Sequence, residues 1–260
     1  AAAGLDSGTI SKTTTYVSRS GYTFSNGAPF QEFRGGSYGT LNVVQALTVS
    51  SNIFFCEMIR DWDMNELVPY LEAFGIGKYT NIDIPGEMPG RLPSPANKIS
   101  LAQTTSPWLE AIWYPEGDSC NSVIGQGITL VTPIQMANWM SAIANGGTLH
   151  TPHVGKKFVD EEGFEYVIEY IPHGENIASE NSLSIVRKGM WETVNGERGI
   201  AHVLSTTGTS VAAKTGTAEF GKANDQGIYD ATHAWTGGFF PYENPQYSFS
   251  LLLEDGGMSS

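Results

Sequence analysis

Residues 213–218, Ala213-Lys214-Thr215-Gly216-Thr217-Ala218, place one cation, two hydroxyls and a position without a side chain within six residues. Lys214 supplies positive charge, and Thr215 and Thr217 supply hydroxyls that donate or accept hydrogen bonds. Gly216 leaves one strand face bare, so a ligand backbone can lie against it. Such a set suits the holding of a carboxylate beside a strand edge. The plain alternative is a strand that merely contains Lys and Gly, because three-residue motifs recur by chance. A second polar run, Ser50-Ser51-Asn52, interrupts two apolar stretches. Ser and Asn side chains compete with the helical backbone for hydrogen bonds, so the triplet marks a break or a cap. It can present side chains into a cleft, or simply cap the helix that follows. No C-x-x-C or H-E-x-x-H pattern occurs and the five His are scattered, so neither a metal nor a cofactor is expected.

The surrounding pattern says what must position these runs. Val211-Ala212-Ala213, entered from turn-forming residues 206–210, predicts a strand carrying Lys214. Residues 41–49 predict a helix with Val43, Val44, Ala46 and Leu47 as its stripe, and Ile53-Phe54-Phe55-Cys56 with Met58-Ile59 resume an apolar helix after the triplet. Asp63 and Glu66 have capping-box spacing, ahead of a stripe of Leu67, Val68, Tyr70, Leu71 and Phe74 that Gly75 stops. Thr132, Pro133 and Gln135 form a strong helix start, with Ile134, Met136, Ala137, Met140, Ile143 and Ala144 expected inside and Asn145-Gly146-Gly147 at the end. Leu183, Val186, Met190, Trp191 and Val194 mark a further helix.

The remaining segments read as connections and strands. Ala1-Ala2-Ala3-Gly4-Leu5 looks like the end of a helix, and the rest of residues 1–40 reads as a long surface loop with one short hairpin. Residues 85–95 are a turn-rich crossing, and residues 154–159 and 164–170 flank a hairpin turn at Asp160-Glu161-Glu162-Gly163. Residues 221–230 read as a polar loop between the Lys214 strand and two more strands, 232–240 and 247–253. Helices followed by three consecutive strands predict an α/β fold of the α+β type, an antiparallel sheet packed by helices, in one domain over residues 1–260.

Composition narrows the class of partner. With 40% hydrophobic and 16% charged residues, the 260-residue chain can bury a core. Its formal net charge is -13, from 27 acidic and 14 basic residues, which argues against nucleic acid. No run of 18 apolar residues appears. Cys56 and Cys120 read as two buried thiols, with one disulfide as an alternative that spacing does not decide.

Read together, the runs resemble the penicillin-binding proteins. Ser50-Ser51-Asn52 is similar to their S-x-N motif and Lys214-Thr215-Gly216-Thr217 to their K-T-G-T motif. Pro85-Gly86-Glu87, Gly90, Leu92-Pro93, Ile124-Gly125-Gln126-Gly127, Val131-Thr132-Pro133-Ile134-Gln135-Met136-Ala137, Ala144-Asn145-Gly146-Gly147 and His233-Ala234-Trp235 resemble the class B transpeptidases in order and spacing. Gly117-Asp118 and the Gly-Gln-Gly wording resemble the elongation-type enzymes more than the division-type ones. The family's S-x-x-K motif, which holds the acylated serine and its lysine base, does not occur. Thr9-Ile10-Ser11-Lys12 begins with Thr, and Ser94 and Ser210 have Lys98 and Lys214 one position too far along.

The resemblance implies a penicillin-binding-protein/serine β-lactamase-like fold, here expected to be clipped at both ends, with the nucleophile helix upstream and the last helix downstream. It implies a serine-type D,D-transpeptidase that crosslinks peptidoglycan stem peptides and binds β-lactam antibiotics, on the extracytoplasmic side of the bacterial membrane, with other cell-wall synthesis proteins as partners. Lys214, Thr215, Gly216 and Thr217 would hold the substrate carboxylate. Ser50 would relay a proton in concert with Lys214, Asn52 would hold the donor amide, and the N–H of Thr217 would be half of the oxyanion hole. The fragment alone would be inactive. A D,D-carboxypeptidase or β-lactamase-like hydrolase, and a non-catalytic β-lactam-sensing or scaffold domain, share these motifs. Trp235 and His233 are expected on a neighbouring strand, packing the core or the sheet edge.

Overall fold

In the computed structural model, which describes residues 1–223 and 229–256, the chain begins with a short helix α1 (Ala2–Asp6) and four short strands, β1 (Thr15–Ser18), β2 (Gly21–Thr23), β3 (Pro29–Gln31) and β4 (Gly39–Asn42). Six helices follow: α2 (Val43–Val49), α3 (Asn52–Arg60), α4 (Met64–Ala73), α5 (Pro95–Gln103), α6 (Gly117–Val123) and α7 (Pro133–Ala144). A hairpin of β5 (Lys157–Val159) and β6 (Glu165–Val167) leads to the long helix α8 (Glu180–Asn195), and the chain closes with β7 (Ala212–Ala223), β8 (Tyr229–Phe240) and β9 (Tyr247–Leu253). These last three form an antiparallel sheet in the order β7-β8-β9. Helix α8 packs on β7, and α7 packs on β8 and β9. The main core lies between them and α2 and α3, with Leu41, Val43, Phe54, Met190, Ala212 and Phe239 among its buried members.

The predicted helix starts have clear local causes. Thr132 and Gln135 cap α7 reciprocally, the Gln135 amide donating to Thr132 Oγ1 and the Thr132 amide to Gln135 Oε1. Asn42 and Gln45 do the same for α2. Asp63 caps α4 without a reciprocal bond from Glu66: its carboxylate accepts from the Asn65 amide at 2.7 Å. The inward face of α7 is more polar than its stripe predicts. Gln135 and Asn138 are buried with Met140 and Ala142, whereas Ile134, Met136, Ala137, Ile143 and Ala144 are half-buried. The cause is the loops around it. Gln135 Nε2 donates to the carbonyls of Lys78 and Pro89, both at 2.9 Å, and Asn138 Nδ2 to that of His150 at 2.8 Å. Buried loop carbonyls need such donors.

Helices α2 and α8 cross at Gly189. A Cβ there would lie 2.6 Å from Leu47 Cδ1 and 2.8 Å from Leu47 Cβ, so the close approach requires glycine. One turn on, buried Thr193 Oγ1 donates to the carbonyl of Leu47 at 3.1 Å. This contact fixes α2, and with it the triplet at its end, against the helix that backs β7.

Three expectations need correction here, and two helices carry no periodic sequence signal. Residues 1–40 hold two small antiparallel pairs, β1 with β4 and β2 with β3, and not one hairpin in a loop. Their strands are three or four residues long, too short for alternation to show. Helices α5 and α6 arise in stretches without an apolar stripe. Residues 221–223 and 229–230, read as loop, extend β7 and β8, while 224–228 lie outside the described residues. Cys56 and Cys120 are joined as a disulfide, not two thiols: α3 packs on α6 and brings their Cα atoms within 4.5 Å across 64 positions of sequence.

Candidate active site

Ser50 lies between two helices in the left-handed conformation, φ 57° and ψ 50°. It ends α2, and its neighbour Ser51 caps α3, with Ser51 Oγ accepting from the Phe54 amide at 3.1 Å. The polar triplet is therefore both a break and a cap. A non-glycine residue in this region is strained by of order 1–3 kcal/mol, and persists where surrounding contacts hold it. Those contacts come from the segment after β3. The wholly buried carboxylate of Glu32 accepts from Ser51 Oγ, from the Asn52 amide at 2.6 Å and from Ser18 Oγ at 2.7 Å. The carbonyl of Gln31 accepts from Asn52 Nδ2 at 3.1 Å.

Across from this corner runs β7. Lys214 Nζ donates to Ser50 Oγ at 2.6 Å and to the carbonyl of Thr215 at 2.7 Å. Two motifs 164 positions apart in sequence thus meet through one hydrogen bond. Burial lowers the Lys214 ammonium from its ordinary value of 10.5 to about 8. No carboxylate pairs with it among the described residues. A cation partly withdrawn from water, with neutral oxygens around it, is an acceptor site for an anion.

Strand β7 lies at an edge of its three-stranded sheet. Gln126 Nε2, from the loop between α6 and α7, donates to the carbonyl of Thr217 at 3.2 Å. Thr217 pairs in register with Ala234 of β8, so the residue that meets Gln126 is also held in the sheet. Gly216 pairs with Trp235 of β8, and a Cβ at 216 would meet only Trp235 Cβ, at an ordinary 3.5 Å. The fold has no steric need for glycine here. His233 pairs with Ala218 and stacks on Phe220, so both it and Trp235 lie on the neighbouring strand.

Of the expected site residues, the structure joins Ser50 and Lys214 directly and puts Thr215, Gly216 and Thr217 in the same edge strand. Asn52 opens α3 two positions on, anchored by Gln31 and Glu32. The near-matches to S-x-x-K have other uses. Ser94 caps α5 and Lys98 is buried in an ion pair with Asp118 at 2.6 Å. Ser210 donates to Glu243 at a turn, and Ser11 lies in an exposed turn with Thr13 and Thr14. Sequence reasoning missed Glu32, a lone acid in a stretch of Ser, Gly and aromatic residues. It quoted Gln126 only as part of a motif, because a contact with Thr217 across 91 positions leaves no local pattern.

The geometry agrees with comparisons to known proteins. A family model described as the penicillin binding protein transpeptidase domain matches residues 1–260. Peptidoglycan D,D-transpeptidase MrdA of Escherichia coli strain K12 is 30% identical over 271 residues, covering 99% of this chain and 41% of its own length. Pseudomonas aeruginosa PBP2 in complex with WCK 5153 is similar with a TM-score of 0.80 and 26% identity, over 98% of this chain and 54% of that one. Helicobacter pylori PBP2, in complex with MreC, is similar with a TM-score of 0.77 and 25% identity, over 98% of this chain and 44% of that one. The chain spans about two fifths of the length of the curated relatives it matches. With its edge strand, its serine corner and its lysine in this arrangement, the chain belongs to the penicillin-binding-protein transpeptidase domain family.

Proposed function

We propose that this domain is the donor-binding and proton-relay part of a serine-type peptidoglycan D,D-transpeptidase, nearer the elongation-type enzymes. The observation that carries this reading is the 2.6 Å hydrogen bond from Lys214 Nζ to Ser50 Oγ beside the open edge of β7. A serine from an S-x-x-K segment, absent from these 260 residues, attacks the carbonyl of the penultimate D-Ala of a stem peptide. The covalent acyl-enzyme splits one difficult step into two. Lys214, with the hydroxyls of Thr215 and Thr217, holds the terminal carboxylate, and Gly216 leaves room for the peptide. Ser50 passes a proton to the leaving amine, in concert with Lys214. Asn52 holds the donor amide. The Thr217 amide is one oxyanion donor, a kind of group whose loss costs about 3–4 kcal/mol of transition-state stabilisation.

β-Lactams present the same carboxylate beside a reactive carbonyl and are expected to trap the acyl-enzyme. Stem peptides are the substrates, and other cell-wall synthesis proteins are the partners, as MreC is for the Helicobacter pylori relative. Such chemistry takes place on the outer side of the cytoplasmic membrane; no helix among the described residues is long and apolar enough to cross one.

Intact-mass spectrometry after incubation with a penicillin tests this reading, on this chain and on the full-length protein. An adduct on the full-length protein alone is the expected result. An adduct on this chain would relocate the nucleophile and redraw the roles of Ser50 and its neighbours, and no adduct on either would favour a scaffold.

A further inference from the structure

We propose that Glu32 is a positioning residue of this site: its buried carboxylate sets the geometry of the Ser50–Asn52 corner and so the contact between Ser50 and Lys214. The inference rests on the transpeptidase reading for its catalytic consequence, but its structural content stands apart from it.

The carboxylate is fully buried and takes three donors from two different elements. Oε1 accepts from Ser51 Oγ and from Ser18 Oγ at 2.7 Å, and Oε2 accepts from the Asn52 amide at 2.6 Å. The Asn52 amide is the first of α3, one of those a helix leaves without an internal partner. An anion there also meets the positive end of the helix dipole. Hydrogen bonds to a charged acceptor are shorter and stronger than neutral ones. The neighbouring carbonyl of Gln31 fixes Asn52 Nδ2 at 3.1 Å. Glu32 and Gln31 thus grip the corner at Ser51 through its hydroxyl and at Asn52 through both its amide and its side chain, beside the bonds Ser51 makes to the Ala46 carbonyl of α2 and the Phe54 amide of α3.

This grip is what a left-handed serine needs. Ser50 sits one residue before the gripped pair, at φ 57°. If the grip is released, α3 can start one residue earlier or later and Ser50 can relax to an ordinary conformation. Its Oγ then leaves Lys214 Nζ. A buried carboxylate is an expensive way to fill space, since a hydrophobic residue of similar volume commonly serves stability as well or better. Its use here is consistent with a demand for one geometry. Ser18, on β1, is buried; its hydroxyl is the second donor to Oε1 and itself accepts from the Tyr38 amide just before β4, which ties the carboxylate to the β1–β4 pair.

The test uses the full-length protein. Glu32→Ala is expected to lower the rate constant of penicillin acylation about a hundredfold, and Glu32→Gln about tenfold, because one amide oxygen still accepts where two carboxylate oxygens did. Glu32→Asp, which keeps the charge but shortens the reach, falls between them. The dissociation constant of the non-covalent penicillin complex should move less than the acylation rate constant does, since the carboxylate anchor lies on β7 and only the Asn52 contact with the donor amide is disturbed. The alkaline limb of the acylation profile should shift as Lys214 loses Ser50. Wild-type acylation and an unmoved limb in folded Glu32→Gln would overturn the proposal. So would a loss of rate that only follows the loss of folded protein, measured by thermal unfolding. If Glu32→Ala does not fold, Glu32→Gln and Glu32→Asp carry the test. If the wild-type protein takes no penicillin, the transpeptidase reading fails by itself. A crystal structure of Glu32→Gln then decides the positioning claim: a Ser50 to Lys214 contact lengthened beyond hydrogen-bond reach supports it, and one kept at 2.6 Å overturns it.

Discussion

Lys214 and Lys98 are both withdrawn from water, and each lies four positions after a serine, yet they do opposite things. Lys98 is 6% exposed and meets the carboxylate of Asp118 at 2.6 Å, an ion pair that fastens α5 to α6. Asp118 Oδ2 also accepts the Tyr114 amide at 2.7 Å, so the negative partner is itself held in place. Lys214 has a serine hydroxyl and a main-chain carbonyl for partners, and burial brings its ammonium down to about 8. A lysine supplied with its own carboxylate holds a fold together. A lysine left with neutral oxygens can take a carboxylate from outside, the role proposed above for Lys214. The difference lies in the partner and not in the local sequence, which is why serine-lysine spacing alone does not separate them.

The comparison breaks most sharply under substitution. In the full-length protein, Lys214→Ala is expected to lower penicillin acylation about a thousandfold, close to 4 kcal/mol of transition-state stabilisation, with little change in thermal stability. Stopped-flow acylation and a thermal melt on the same sample check both halves; an unchanged rate would end the anchor role. Cys56 and Cys120 join α6, which carries Asp118, to α3, which carries Asn52. Replacing both with Ser frees a loop of 64 positions, and the loss predicted from chain entropy is about 4 kcal/mol in denaturant unfolding. Lys98→Ala should behave as the converse of Lys214→Ala. It strands Asp118 and costs about 3 kcal/mol of folding stability, while acylation per folded molecule stays near wild type. A large loss of rate at full stability would make Lys98 part of the site.

Acidity gives the smallest and finest test. In the free protein Lys214 loses its charge as pH rises through about 8, so the second-order acylation constant should fall above that pH, approaching tenfold per unit. A bound carboxylate favours the charged form, so the limb for the complex should lie at higher pH. The stability effect has the sign of a lowered lysine. Burial of Lys214 is without penalty above its ordinary value of 10.5 and costs most once pH has fallen below about 8. A limb near the ordinary lysine value in the free protein would mean that Lys214 is no more withdrawn than a surface residue.

Much of the scaffold was legible because its signals are local. Thr132, Pro133 and Gln135 start a helix wherever they occur together, and Ser50-Ser51-Asn52 break one for the same kind of reason. The meeting of Ser50 with Lys214 was legible only through family resemblance, since no local rule joins residues 164 positions apart. Glu32 and the Cys56–Cys120 bond were not legible as partners, because each depends on how β3, α3 and α6 pack. The inward side of α7 was misjudged for a related reason. Burial of Gln135 and Asn138 answers to the carbonyls of distant loops, which hydrophobic spacing does not register.

The bare face of Gly216 has a consequence for how the domain changes under selection. Most tight glycines of this chain, such as Gly189, are defended by the fold, because any side chain there collides with a neighbour. Gly216 has no such defence: a methyl group fits at 3.5 Å from Trp235 Cβ. A side chain at 216 would be felt first by a ligand lying along β7, as proposed above, so this position can change under selection with the packing of the sheet left as it is.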